Sequence, residues 1–476
     1  MRRALAVIPR APFVLRGGLH CPTMAAAKND PKVIRAWTFY DWANSVYSLT
    51  ITSAVFPLFY SALTKGGAGE DLVAQAHGIP AKALYSYALS AGFLLVALIA
   101  PLLSGIADSR GNKLAFLKAF CYLGAASCAG LAFFTLDGLW WGLSLVALAC
   151  IGFSGSLVFY DAFLVDIAGK DQHDKVSARG YTMGYFGSVI LLVINLLMVM
   201  KPGWFHLPEE VTIGGTTYGG VPARTTFLTV AIWWAGFAQL AFRRLPKRTT
   251  AAEGRDGLIW SGYAELRKVW RQLNATVRLK RYLFAFFVFN MGIQTVMYLA
   301  VIFAEAEIKQ VDGTGAIVPI ASESLIISIL LIQLVAALGA ALFVRLSARF
   351  GNLRALAIGV SVWVGVCIAA YFTHWTSEFY LLASCVGLVM GGCQALARST
   401  YAKFLPPTRD TASYFSFYDV SYYLGTVLGT AVFGVVLQIT GDLRNTAVAL
   451  CSFFILGLLL LLRVPKQEVA QVRPSS

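Results

Sequence analysis

Charge is scarce in this chain of 476 residues, and negative charge is scarcer than positive. Asp and Glu number 24 against 39 Lys and Arg, and charged residues make up 13% of the whole, about half the share of a soluble domain. A soluble enzyme and a charge-extended disordered chain are both excluded. Five histidines are scattered without metal-ligand spacing. Of eight cysteines, Cys121, Cys128, Cys150, Cys367, Cys385, Cys393 and Cys451 fall in apolar stretches and Cys21 near the start, so no disulfide framework is implied. There is no HExxH, no GxSxG and no glycine loop that would cradle a phosphate. The chain is therefore expected to be no enzyme, to use no cofactor or metal, and not to be driven by ATP.

What it has is apolar length. Hydrophobic residues are 58% of the chain and the mean hydropathy is +0.67. Runs of about 20 apolar residues are helical membrane spans, since barrel strands are half as long. Twelve are expected, near 34–63, 83–107, 114–135, 139–166, 178–200, 225–242, 282–304, 324–346, 353–373, 378–404, 412–439 and 443–463. Sorted by alternate sides, 33 of the 39 basic residues lie on the side holding both termini. That asymmetry places both ends in the cytoplasm and removes nucleic acid as the reason for the net charge of +15. Arg2, Arg3, Arg10 and Arg16 precede the first acid, Asp30. They read either as a transit peptide or, preferably, as an over-extended start before Met24. A bacterial inner membrane is accordingly favoured over an organelle.

The long hydrophilic stretch from Arg243 to Arg281 divides the chain six spans plus six. The expected organisation is a tail (1–33), a first half (34–243), a linker (244–281), a second half (282–464) and a tail (465–476). Within the linker Ile259, Tyr263, Leu266, Trp270, Leu273 and Val277 recur at helical spacing, with Arg267, Lys268, Arg271 and Arg278 on other faces. Such a helix suits an anionic inner leaflet or the ends of the bundle equally well. The halves also look related. GNKLA (111–115) and GNLRA (351–355) come after the second span of each, and Asp41 in span one falls opposite Asn290 in span seven. Repeated six-helix halves around a linker are the signature of the major facilitator architecture, with its site between the halves. The fold class expected is thus an all-α integral membrane protein with twelve helices in two pseudo-symmetric halves.

GIADSRGNK (105–113) resembles the facilitator loop between spans two and three. Asp108 can face the positive N-terminus of a helix from the other half, while Arg110 and Lys113 are expected at the headgroups. In the second half RLSARFGNLR (345–354) carries Ala348 in place of the acid. AWTFYDWANSVYSLTITSAVFPLFY (36–60) resembles the opening helix of the vacuole-effluxer-like branch of the superfamily, which includes autophagy-related amino-acid effluxers. FYDAFLVDIA (159–168), GYTMGYFGS (180–188), NMGIQTVMYLA (290–300), GGCQALARS (391–399) and FYDVSYYLG (417–425) extend the likeness over residues 35–465. The resemblance implies a transporter of a small solute, amino acids favoured; the lack of an ATP-binding motif makes it secondary, with protons as the candidate coupling ion. It departs from the family pattern at Met291, where an acid is common, at Tyr422-Tyr423, where Gly-Lys is common, and near Thr430, where a proline is common. Substrate or coupling is expected to differ accordingly.

A charge near the bilayer centre costs about 2.5–3.5 kcal/mol even on lenient scales, so it faces a cavity or a partner. Asp41, Arg398 and Asp419 are such charges. With Asn44, Tyr47, Asn290, Gln294 and Gln394 they form the expected substrate or coupling-ion set. An acid among amides and aromatics can hold an ammonium group. Asp108, Arg110, Lys113, Asp161 and Asp166 form the expected cytoplasmic gate, Asp166 being near enough to the surface for solvation alone. For Trp42 packing is the better reading. A small-molecule substrate, membrane lipids and a monomeric state complete the expectations.

Overall fold

The computed structural model describes residues 28–67, 69–247 and 258–466. Among the described residues, eleven helices are individually long and apolar enough to cross a bilayer, and span seven makes twelve when its two parts are joined. In chain order the spans are Pro31–Thr64, Ala81–Arg110, Lys113–Leu131, Leu139–Ile167, His173–Met200 and Val221–Arg244. The second half continues with Val277–Glu307, Ser322–Phe350, Asn352–Phe372, Thr376–Phe404, Thr411–Thr440 and Leu443–Leu462. Span seven bends by 45° between Val277–Met297 and Ala300–Glu307. Two short antiparallel hairpins, Glu210–Ile213 with Thr216–Gly219 and Lys309–Val311 with Ile317–Pro319, sit in the loops away from the linker. The apolar pattern gave no sign of either.

Span one shows how local chemistry sets the elements. Asp30 caps its start by accepting from the Lys32 N–H at 2.8 Å, and Pro31 occupies the first turn, where no donor is needed. From Tyr47 to Ala54 the helix widens into a π-helix before resuming at Val55. Hydroxyls support the loosened backbone: Thr52 and Ser53 both donate to the Ser48 carbonyl, at 2.6 and 2.9 Å.

Each half is tied at its end away from the linker by the same device. Near the start of span six, Arg224 Nη1 donates to the carbonyls of Ala132 and Phe134, just past the end of span three. Near the start of span twelve, Arg444 Nη1 donates to the carbonyls of Tyr371 and Thr373, at the end of span nine. These are corresponding positions, so the repeat extends to side-chain chemistry that the sequence comparison of the halves did not reach. Arg444 also pairs with Glu307 at 2.7 Å and so reaches the end of span seven.

The linker helix, Leu258–Ala275, lies against spans two and eleven. Gly105 and Gly262 meet backbone to backbone with no room for a Cβ, which accounts for the first glycine of the 105–113 motif. Gly111 supplies the left-handed turn (φ 65°) that ends span two. The stripe expected on the linker helix is split: Leu273 is buried with Val269, while Tyr263, Trp270 and the nearby Trp260 are exposed. Ile259's side chain lies outside the described residues, and Val277 already belongs to span seven.

Candidate functional site

Between the halves lies a cavity of about 200 Å³, lined by spans one, two, four and five on one side and seven, eight, ten and eleven on the other. The hydrogen bonds that join the halves cluster from the middle of the spans to the linker side, and the lining runs the other way to Thr52 and Ser53.

Arg398 forms the floor on the linker side. Its side chain is 1% exposed. Nη1 donates to Asp161 Oδ1 at 2.8 Å, Nη2 to Asp41 Oδ2 at 3.4 Å and to the Ser177 carbonyl at 3.0 Å, and Nε to Ser177 Oγ at 3.0 Å. Three rings surround the guanidinium, Tyr181 at 4.2 Å, Trp37 at 5.0 Å and Tyr160 at 5.5 Å. Tyr160 also donates to Asp41 Oδ2 at 2.7 Å, and Trp37 donates its indole N–H to the Tyr160 carbonyl. Helical spacing explains the assembly: Trp37 and Asp41, Ser177 and Tyr181, and Gln394 and Arg398 are each four residues apart on one helix face. This is a cation in a low-dielectric interior satisfied by two acids, hydrogen bonds and ring faces together.

Spans one and five come close enough for this because GYTMGYFGS places glycine at 180, 184 and 187. A Cβ on Gly180 would strike Asp41 Oδ2, with Trp37 and Arg398 Nη2 both at 3.0 Å, and one on Gly187 would meet the Trp42 carbonyl at 2.7 Å. Gly180→Ala is therefore expected to lower the thermal midpoint by the equivalent of about 1–3 kcal/mol. Alanine at the open Gly236, where a Cβ meets nothing within 4 Å, should leave the midpoint unchanged. Equal effects at the two sites would show that the approach of spans one and five is slack.

The remaining expected residues fall on both sides of the cavity wall. Asn44, Tyr47, Gln294, Gln394 and Asp419 line it. Gln394 Oε1 accepts from the Tyr185 hydroxyl at 2.8 Å across the halves. Asn290 does not line it: its amide donates to the Tyr422 carbonyl and its oxygen accepts from Gln294, so it stands behind the wall and orients Gln294. Trp42 packs against Trp233 at 5.5 Å. Asp161, expected at the gate, belongs with Arg398 because it lies on the cavity face of span four.

Nearer the linker side the halves are joined by two polar clusters. In the first, Asp108 accepts from the backbone N–H groups of Ser413 (2.7 Å) and Ala412 (3.3 Å) in the first turn of span eleven, where the helix dipole favours an anion. Lys113 is not at the headgroups. It is buried, pairs with Asp166 and donates to Thr411 Oγ1 at 2.6 Å. Asp166 is thus ion-paired rather than merely solvated, since burying that ammonium demands an acid. Arg110 is exposed.

The second cluster was missed by the sequence reading. Asp174, in the first turn of span five, accepts from Lys403 Nζ (2.5 Å), Ser399 Oγ (2.7 Å), Asn352 Nδ2 (2.8 Å) and Ser347 Oγ (2.9 Å). Where Ala348 leaves the second-half loop without its acid, the acid is supplied instead by the opposing helix. Outside the membrane, Lys268 of the linker helix pairs with Asp410 at 2.8 Å. Burial works against ionisation of Asp410, but the Lys268 ammonium overrides it and holds that carboxyl below the usual range.

Two six-helix halves around a polar cavity, closed at one end by contacts that cross between them, define a facilitator-type membrane transporter. Chains of the same fold include the E. coli fucose:proton symporter FucP (13% identity, TM-score 0.64, covering 92% of this chain and 98% of that one). The human organic anion transporter MFSD10 is similarly close (15%, 0.65, 91% and 100%). Within that class the chain belongs to the vacuole effluxer Atg22-like family, which matches residues 29–471. It is 31% identical over 445 residues to the uncharacterised MFS-type transporter YxiO of Bacillus subtilis, covering 94% of this chain and 97% of that one. It is 26% identical over 325 residues to autophagy-related protein 22-1 of Aspergillus clavatus, covering 61% of this chain but only 48% of the fungal protein.

Proposed function

We propose that the protein is a monomeric, proton-coupled secondary transporter that moves a small solute by alternating access, amino acids and similar metabolites being favoured. The reading includes both termini in the cytoplasm, which the charge asymmetry supports, a bacterial plasma membrane rather than an organelle, lipid around the spans and no catalytic role. The observation that carries the reading is the salt bridge of Arg398 to Asp41 and Asp161. It spans the two halves, so opening the linker side must withdraw the cation from both acids. Two carboxylates left in an apolar interior need a replacement charge, and a proton is the smallest. Closing the linker side restores Arg398 and releases the proton.

The test is uptake into proteoliposomes under an imposed pH gradient. Wild-type protein is expected to accumulate solute and to lose accumulation when a protonophore collapses the gradient. Asp41→Asn should abolish accumulation while downhill counterflow remains measurable. Accumulation at wild-type level in a folded Asp41→Asn protein would remove Asp41 from coupling.

A further inference from the structure

Charge in the cavity does not balance. Among the described residues that line it, Asp41, Asp161 and Asp419 face a single cation, Arg398. That cation is committed: four of its five N–H donors hold Asp41, Asp161 and Ser177, and rings cover the guanidinium. Nothing cationic is left for a substrate carboxylate. Asp419 is the reverse case. It is 4% exposed on span eleven, lines the cavity, and its Oδ2 has no hydrogen-bond partner among the described residues. A buried acid with an empty acceptor is costly unless something arrives to fill it. Tyr185 and Tyr422 present aromatic groups to the same space, and ring faces favour cations. Across the cavity on span one, the buried Asn44 Nδ2 is likewise unpartnered, a donor suited to an oxygen at the other end of a small solute.

We infer that the cavity selects solutes that carry an ammonium group and no net negative charge, with Asp419 as the counter-ion and Asn44 as a neutral donor. The inference rests on the transport reading and narrows it. Amines, basic amino acids and neutral amino acids fit; dicarboxylates, acidic amino acids and sugars without an amine do not. Asp419 is thereby assigned to substrate, and Asp41 to the proton.

The experiment uses the purified full-length chain with putrescine, L-arginine, L-leucine, L-glutamate, succinate and L-fucose as probes, read by thermal stabilisation. The first three are expected to raise the unfolding midpoint and the last three to leave it unchanged, because bound ligand stabilises by mass action. Asp419→Asn should weaken the apparent affinity for amines at least tenfold, and Asp419→Glu should keep the response, which also shows that the position tolerates change. An amine response undiminished in folded Asp419→Asn overturns the inference, as does stabilisation by succinate, glutamate or fucose alone, or no amine response at all. The two readings fail separately. Uptake of fucose or succinate without any amine response would leave a transporter and remove its proposed selectivity. Amine binding lost in Asp419→Asn, with no uptake in wild-type proteoliposomes, would keep the site and remove transport.

Discussion

Arg398→Gln should be among the most damaging single changes in the chain. It leaves Asp41 and Asp161 buried within one cluster with no cation between them. Breaking a buried pair from one side typically costs about 3–5 kcal/mol, most of it the stranded charge. The expected result is a much lower unfolding midpoint and loss of transport. Adding Asp41→Asn and Asp161→Asn should recover most of the stability and none of the gradient-driven accumulation. Arg398→Lys should recover little, because one ammonium cannot reproduce the fork that reaches Asp161, Asp41 and Ser177 at once. If Arg398→Gln unfolds at the wild-type temperature, the cluster is well hydrated and its charges are not coupled to the closing of the halves.

The second large effect is expected from the two polar clusters on the linker side, taken together. Asp108 and Asp174 each make charge-assisted hydrogen bonds to the opposite half, to Ser413 and Ala412 in one case and to Lys403, Asn352, Ser347 and Ser399 in the other. Bonds to charged groups are worth about 1.5–3 kcal/mol, and 1.4 kcal/mol is tenfold in a population. Asp108→Asn should slow transport more than it weakens ligand binding, because the contact is remote from the cavity. Asp108→Asn with Asp174→Asn should shift the linker-side equilibrium toward open by about a hundredfold or more. In a cysteine-free background, Met390→Cys in the cavity wall should then react with an impermeant maleimide from the linker side, where the parent barely reacts. Unchanged labelling in the double variant would mean that apolar contact between the halves, not these acids, keeps that side shut.

How much of the site was legible in the sequence depends on how rare each signal is. A charge inside an apolar run stands out, so Asp41, Asp161, Arg398 and Asp419 could be named from the sequence, although not which would pair with which. The loop acid Asp108 was legible because its partner is the backbone at a helix start, which any sequence supplies. Asp174 and Lys403 were not, since charges at helix ends are ordinary and their meeting depends on the fold bringing spans five and ten together. The Lys113–Asp166 pair joins residues 53 apart. The ring shell of Trp37, Tyr160 and Tyr181 was hidden by abundance: at 13% aromatic, packing is the better first guess for any one ring. Asn290 was misplaced because helical spacing gives a residue's face and not the depth of its neighbours.

The π-helical segment from Tyr47 to Ala54 gives span one a place where a change of length can be absorbed. Its wider turns hold more residues than α-helical turns would over the same rise. Deleting a single residue there would let the helix revert to the tighter form with its two ends close to register, whereas the same deletion in the regular helix of span five would rotate one end by about 100° against the other. Phe56 and Phe59 would keep their aromatic neighbours near the outer end. Asp41 and Asn44 would stay on the cavity wall. A one-codon deletion in this segment should therefore be tolerated far better than one between Gly180 and Gly187 of span five, where the close approach to span one depends on register.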